Sequence, residues 1–275
     1  MPLLQVVVLA LIQGIAEFLP ISSTAHLIVA PWLLGWQDPG LTFDVALHVG
    51  TLLAVVAYFF RTWIQVILHG FGIEWGDDQM LRQNPRLLWL LVLGTVPGAV
   101  IGFLFEKQAD STLRSPILIG VMMIVLGLVM WAADRWAAHT KRLGAVSFTD
   151  SLVIGCAQAL AIIPGVSRSG ATMTAGLFRN LDRVAAARFS FLLATPIIAG
   201  AAAKKFYDVS KHGGIPADMH MPFAVGIMVS GLTGLLVIAF FLRYLQHRSL
   251  NFFVYYRVVF GIIVIALAIA RPPAG

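Results

Sequence analysis

The stretch EFLPISSTAHL, from Glu17 to Leu27, decides how this chain folds. It gathers Glu17, Ser22, Ser23, Thr24 and His26 around Pro20, in an N-terminus whose first Lys or Arg is Arg61. Proline removes a backbone donor and pushes the residue before it out of helical space, so an apolar helix entering this stretch must break there. A broken, polar turn at membrane depth is tolerated only where protein or a wet cavity surrounds it. A second stretch of the same kind, IIPGVSRSGAT from Ile162 to Thr172, lies in the other half of the chain.

Composition sets the solvent around those two breaks. The 275 residues are 59% hydrophobic and 12% charged, with mean hydropathy +0.87, whereas soluble domains are about 25% charged. A soluble globule of this make-up would have an implausibly dry surface, which leaves an all-α integral membrane protein. Six apolar stretches of spanning length run at 43–60, 87–105, 116–133, 185–203, 222–242 and 251–270. Two interrupted stretches, at 2–35 and 151–180, read as pairs of half-helices, that is, as two re-entrant helical hairpins whose tips meet at a central site. The start MPLLQVVVLALIQ lacks a basic segment, so no signal peptide is expected. The single cysteine, Cys156, forms no intramolecular disulfide and reads as a packing residue.

The halves also match in order. QGIAEFL aligns with IGCAQAL, setting Gly14 against Gly155, Ala16 against Ala157 and Glu17 against Gln158; PISST then meets PGVSRS, and FDVALHVG meets FSFLLATP. The pattern predicts one membrane domain over 1–275 built from two repeats, about 1–135 and about 150–272, each a hairpin plus three spans. An odd number of spans per half inverts the second, as in folds whose sites form near the midplane from discontinuous helices. Loops at 61–86, 134–150 and 243–250 carry eight Lys or Arg; the other connections and the C-terminus carry six, Lys107, Arg114, Lys204, Lys205, Lys211 and Arg271. With Arg179, Arg183 and Arg188 joining the first side, the positive-inside rule places both termini outside. The net charge of +6 fits basic cytoplasmic loops and is compatible with anionic lipid or an anionic substrate.

An ionisable residue at the middle of a span costs roughly 2.5–3.5 kcal/mol, so Glu17 and Arg168 are functional candidates. Arg168 stands between Ser167 and Ser169, with Gly165 before and Gly170 after. Its planar fork suits phosphate oxygens, the glycines let backbone approach, and helix-start N–H groups form an anion nest to which Ser167, Ser169 and Thr172 add hydroxyls. Ser22, Ser23 and Thr24 are candidate nucleophiles or phosphate ligands, although hydroxyl runs in membrane helices more often bond local backbone. His26 follows Ser23 at i+3, on one helical face, and is predicted to act as its general base. Gln13 and Glu17, at i and i+4, share a face; the carboxylate there could orient His26, accept a proton or hold a divalent cation beside a diphosphate. Asp44 and His48 read equally as cavity lining or as an interfacial pair, and Trp32, Trp36 and Trp63 as interfacial anchors.

QGIAEFLPISSTAHL and PGVSRSGAT resemble the two signature motifs of the undecaprenyl-diphosphate phosphatase, or bacitracin resistance, family, and the resemblance extends through FDVALHVGTLLAVV and FSFLLATPIIAGA. It implies a bacterial inner-membrane enzyme that removes the terminal phosphate of undecaprenyl diphosphate and recycles the lipid carrier for cell-wall synthesis. By motif, Gln13 and Glu17 are the acidic pair, Ser23 the nucleophile, His26 its base and Arg168 the phosphate clamp, with Ser167 and Thr172 alongside. Gln13 replaces a glutamate, which leaves Glu17 as the metal or proton ligand; Mg2+ or Ca2+ is expected from the resemblance alone. Attack through a phosphoserine and direct attack by water both stay open. The expected partners are a polyprenyl diphosphate and membrane lipids, with no nucleic acid, and a homodimer is compatible. The site is expected to open to the periplasmic or external face. A transporter or flippase of a phosphorylated isoprenoid is the alternative, because the same architecture serves transport.

Overall fold

A computed structural model describes residues 1–105, 113–211 and 214–270. Lys107 and Arg271, both used in the charge count, and the last residues of the second repeat lie outside the described residues. The chain runs α1 (Leu3–Ala16), α2 (Ser23–Leu34), α3 (Leu41–Tyr58), α4 (Phe60–Gly70), α5 (Gln79–Arg82), α6 (Leu87–Leu104), α7 (Pro116–Trp136), α8 (Phe148–Ala159), α9 (Arg168–Phe178), α10 (Arg183–Lys211), α11 (His220–Leu245) and α12 (Asn251–Ala270). Six of these, α3, α6, α7, α10, α11 and α12, are long and apolar enough to cross a membrane, and they fall on the six stretches read from the sequence. Two bounds differ. The segment 61–86, read as a loop, begins with the amphipathic helix α4, which buries Gln65, Val66 and His69. Helix α10 continues past residue 203 to Lys211, because its last turns, KKFYDVSK, are too polar for an apolar window to reveal.

The packing is apolar outside and small inside. On α11, Leu232, Leu236 and Phe240 form an exposed i, i+4 stripe, while Gly226, Ser230, Gly234 and Ile238 are buried. Lipid supplies no hydrophobic force between helices, so small residues that admit close backbones make the contacts. Helices α6 and α8 meet at Gly94 and Gly155, where a Cβ on Gly155 would fall on the Gly94 carbonyl. Gly14 on α1, aligned with Gly155 in the sequence, also packs closely on α11, where a Cβ would stand 2.8 Å from the Ser230 carbonyl. The pairings exchange when the halves are exchanged: α1 with α11 and α8 with α6, α3 with α11 and α10 with α6, while α3–α10 and α7–α12 pair across the two halves.

Both interrupted stretches break as the prolines require, and their second helices begin alike. Helix α2 starts after Ser22 (φ 72°), whose Oγ accepts from the Ala25 N–H at 3.4 Å. Helix α9 starts after Ser167 (φ 69°), whose Oγ accepts from the Gly170 N–H at 3.1 Å. A serine held at positive φ costs on the order of 1–3 kcal/mol, a strain that persists only where the surroundings fix it. Its effect is to make Ser23 and Arg168 equivalent, each the first residue of its helix. Gly165 (φ 94°) completes the second turn, and a Cβ there would stand 2.6 Å from the Ile119 carbonyl.

At one end of the molecule the three arginines placed with the basic loops each meet an aspartate: Arg179 Nε to Asp150 Oδ1 at 2.7 Å, Arg183 Nε to Asp134 Oδ1 at 2.6 Å, and Arg188 Nη2 to Asp78 Oδ2 at 2.9 Å. Asp150 also accepts from Lys141 Nζ and from the N–H and hydroxyl of Ser147, which caps α8. Burial raises its carboxyl's proton affinity, but Ser147, Arg179 and Lys141 outweigh this and hold it at about 2, against an ordinary 3.8. A depressed carboxylate contributes stability that is present above its unfolded value and is lost as pH falls through the folded one. Asp150→Asn is therefore expected to cost about 1.5–3 kcal/mol at neutral pH, the worth of a hydrogen bond to a charged group. Melting in detergent across pH checks it: the gap from the parent closes as pH falls from 3.8 towards about 2.

Candidate active site

The two tips meet on Glu17. Its carboxylate is 4% exposed, and Arg168, contributed by the opposite tip, is 12% exposed and donates Nη2 to Glu17 Oε1 at 2.5 Å. Glu17 Oε2 accepts from Ser23 Oγ at 2.7 Å and from Gln13 Nε2 at 3.1 Å, one turn back on α1. The tips are also tied directly, Ser169 Oγ donating to the Leu19 carbonyl at 3.0 Å. Glu17, Ser22, Ser23, Thr24, Ser167, Arg168 and Ser169 line a cavity of about 230 Å³. Arg168 Nη1 faces no partner among the described residues, though it is buried.

Other expected residues stand behind this wall. Gln13 supports Glu17 from outside the cavity lining. Thr172 Oγ1 bonds the Arg168 carbonyl at 2.8 Å and Ser190 Oγ at 2.7 Å, so it braces α9. Gly165 and Gly170 shape the turn and the cap.

His26 does not reach Ser23, and this corrects its reading as general base. Its Nδ1 lies 2.7 Å from the Ser22 carbonyl, and its Nε2 lies 2.6 Å from Tyr256 Oη on α12. A carbonyl only accepts, so Nδ1 carries the proton and the lone pair on Nε2 receives the tyrosine hydroxyl. The ring is stacked on Phe260, with centroids 4.5 Å apart. No lone pair is left for a serine; the acceptor bonded to the Ser23 hydroxyl is the Glu17 carboxylate.

Two residues enter that sequence reasoning had not assigned. His48 lines the cavity, its Nε2 3.4 Å from Glu17 Oε2 and its Nδ1 on the Asp44 carbonyl at 2.7 Å. Of its two sequence readings, cavity lining is the one realised. Gln158, which the sequence alignment of the two halves sets against Glu17, also lines the cavity.

The residues do not form a resident seat for Mg2+ or Ca2+. Among the described residues no three His, Cys, Asp or Glu side chains converge on a metal position. Glu17, the sole carboxylate among the described residues that line the cavity, already has both oxygens bonded to Arg168, Ser23 and Gln13. Its expected role as a metal ligand is not carried by this arrangement.

A serine hydroxyl on a buried carboxylate, facing an arginine fork across the N-termini of two helices, is the apparatus of a membrane protein that handles a phosphate-like anion. The family described as bacitracin resistance protein BacA matches residues 6–263, and the chain belongs to that family. It is 50% identical to an undecaprenyl-diphosphatase of Pelotomaculum thermopropionicum over 271 residues, 98% of each chain. It is 48% identical to one of Moorella thermoacetica over 267 residues, 97% of this chain and 98% of that one. It is also 46% identical to one of Desulforudis audaxviator over 266 residues, 96% and 97% of the two.

Proposed function

We propose that this protein hydrolyses undecaprenyl diphosphate to undecaprenyl phosphate and inorganic phosphate. The observation that carries the reading is Ser23 Oγ 2.7 Å from Glu17 Oε2, in a cavity where Arg168 keeps a buried Nη1 with no partner among the described residues. Family membership and the names of the relatives support the same substrate. Carrier recycling for the cell wall, and bacitracin resistance, follow from that activity.

The diphosphate head enters the polar cavity and the prenyl chain leaves along an adjoining apolar groove of about 410 Å³, which shares Gly98, Gly102, Ile162, Ile197 and Ala201 with it. Arg168 and the N–H groups opening α2 and α9 take the phosphate charge. Ser23 Oγ attacks the terminal phosphorus as Glu17 takes its proton; the bond from that phosphorus to the bridging oxygen breaks, and the proton passes to the departing undecaprenyl phosphate. Water then attacks the phosphoserine, giving its proton to Glu17, which returns it to Ser23 as phosphate leaves. No step is routed through a metal; Mg2+ or Ca2+, expected from the family resemblance, would be held by the diphosphate's own oxygens and would screen their charge, as magnesium commonly does with substrate phosphates. The basic end of the molecule supports a bacterial inner-membrane placement with the re-entrant hairpins opening to the external face, in an inverted repeat that the exchanged helix pairings favour.

Phosphate release from a long-chain prenyl diphosphate by purified protein in detergent, with and without magnesium, tests the reading. Release is expected from the parent. None from a folded parent under either condition overturns the hydrolase and leaves the transporter.

A further inference from the structure

Arg257 lies in the second turn of α12 and is fully buried, 0% exposed. Its acceptors are main-chain carbonyls. Nε donates to Met123 at 3.1 Å, Nη1 to Pro20 at 3.1 Å, and Nη2 to Gly165 at 2.7 Å and to Met122 and Val166, each at 3.3 Å. Pro20 belongs to the first tip, Gly165 and Val166 to the second, and Met122 and Met123 to α7.

Breaking two helices orphans their last carbonyls, and inside a membrane no bulk water satisfies them. One guanidinium, with five N–H groups fixed in a plane, meets carbonyls from both breaks at once; an ammonium with three donors at a single point cannot. The gripped carbonyls stand three residues before Ser23 and two or three before Arg168, so a shift of the guanidinium moves the two reacting groups relative to each other.

We propose that Arg257 is a positioning residue for phosphoryl transfer: by holding the Pro20 carbonyl of one tip and the Gly165 and Val166 carbonyls of the other, it sets the separation between Ser23 and Arg168. The proposal rests on the hydrolase reading above. It also gives α12 a common task, since the adjoining Tyr256 holds His26 of α2. The Ser169–Leu19 bond is a second, independent tie between the same tips.

The test compares the parent with Arg257→Lys, Arg257→Gln, Ser169→Ala and Arg257→Lys/Ser169→Ala, reading kcat, KM and melting temperature in detergent. Folded Arg257→Lys is expected to lose about 10–100-fold in kcat and to raise KM about tenfold, since a displacement near 1 Å can cost about 100-fold and takes Arg168 off the diphosphate. Because both ties act on one geometry, the double variant loses more kcat than the product of the single losses, while its melting shifts add. Parental kcat in a folded Arg257 variant overturns the proposal. So do kcat losses that merely multiply, and so does failure of both Arg257 variants to fold, which makes the residue structural. Absence of turnover in the parent strikes the hydrolase reading instead. Binding of inorganic diphosphate by calorimetry then decides: a misplaced Arg168 weakens it about tenfold or more, and unchanged binding overturns the positioning role.

Discussion

Glu17→Gln is expected to slow phosphate release by about 10³-fold, within the range of losing a general base, and Ser23→Ala to fall at least as far. The carboxylate does two things at once. It accepts the hydrogen bond of the Ser23 hydroxyl at 2.7 Å, and it pairs with Arg168 at 2.5 Å in a site where both side chains are nearly out of solvent. An amide keeps the shape but removes the base and turns an N–H towards groups that are themselves donors. Removing one member of a buried ion pair also costs about 3–5 kcal/mol, because the other is left uncompensated. Melting in detergent must therefore accompany the kinetics, and the comparison is made on folded protein. Steady-state phosphate release checks both variants; a Glu17→Gln enzyme above a tenth of the parental rate removes Glu17 as base, and near-parental Ser23→Ala removes the covalent step. His26 supplies the contrast. Its ring is bonded to Ser22 and Tyr256, so His26→Gln and Tyr256→Phe break the same bond, lose similar factors, and stop short of the Glu17→Gln loss.

The elements that the sequence revealed are those governed by solvent and by proline. An apolar run long enough to span must be helical in lipid, so the six long helices were readable to within a few residues, apart from the polar last turns of α10. Pro20 and Pro164 fixed the two breaks, and the scarcity of charge made Glu17 and Arg168 conspicuous. What spacing cannot carry is the direction of a lone pair. Ser23 and His26 share a helical face, yet the ring of His26 turns to α12, where an aromatic pocket and a tyrosine hydroxyl 230 positions away receive it. Only tertiary packing sets that. His48 was ambiguous for a related reason, since an Asp–His pair at i, i+4 reads alike at a membrane surface and in a cavity wall. Arg257 was legible in principle: it is a lone arginine in the apolar run YYRVVF, and the cost that singled out Arg168 applies to it equally. Its partners were not, because carbonyls freed at two distant breaks leave no mark in side-chain spacing.

Arg168→Lys is expected to lower kcat/KM by about 10²–10³-fold, the usual loss for removing one preorganised donor at developing charge, although the formal charge is unchanged. The reason lies in how the guanidinium is divided. Nη2 is spent on Glu17 Oε1, and Nη1 is buried without a partner among the described residues, in a residue that lines the cavity. On the proposed reading one arm holds the Glu17 carboxylate and the other serves phosphate, and the planar fork fixes the angle between them. A lysine ammonium placed on Glu17 satisfies the ion pair but leaves no second directed donor; drawn to phosphate, it abandons Glu17. The loss should therefore appear mainly in kcat, because charge that shifts onto the terminal phosphoryl oxygens meets one donor fewer than in the parent. Inorganic phosphate or diphosphate binding, read by calorimetry, should weaken far less than turnover, since the positive charge and the N–H groups at the start of α2 and α9 remain. A lysine variant with parental kcat/KM would dismiss the fork and reduce Arg168 to a counter-ion for Glu17.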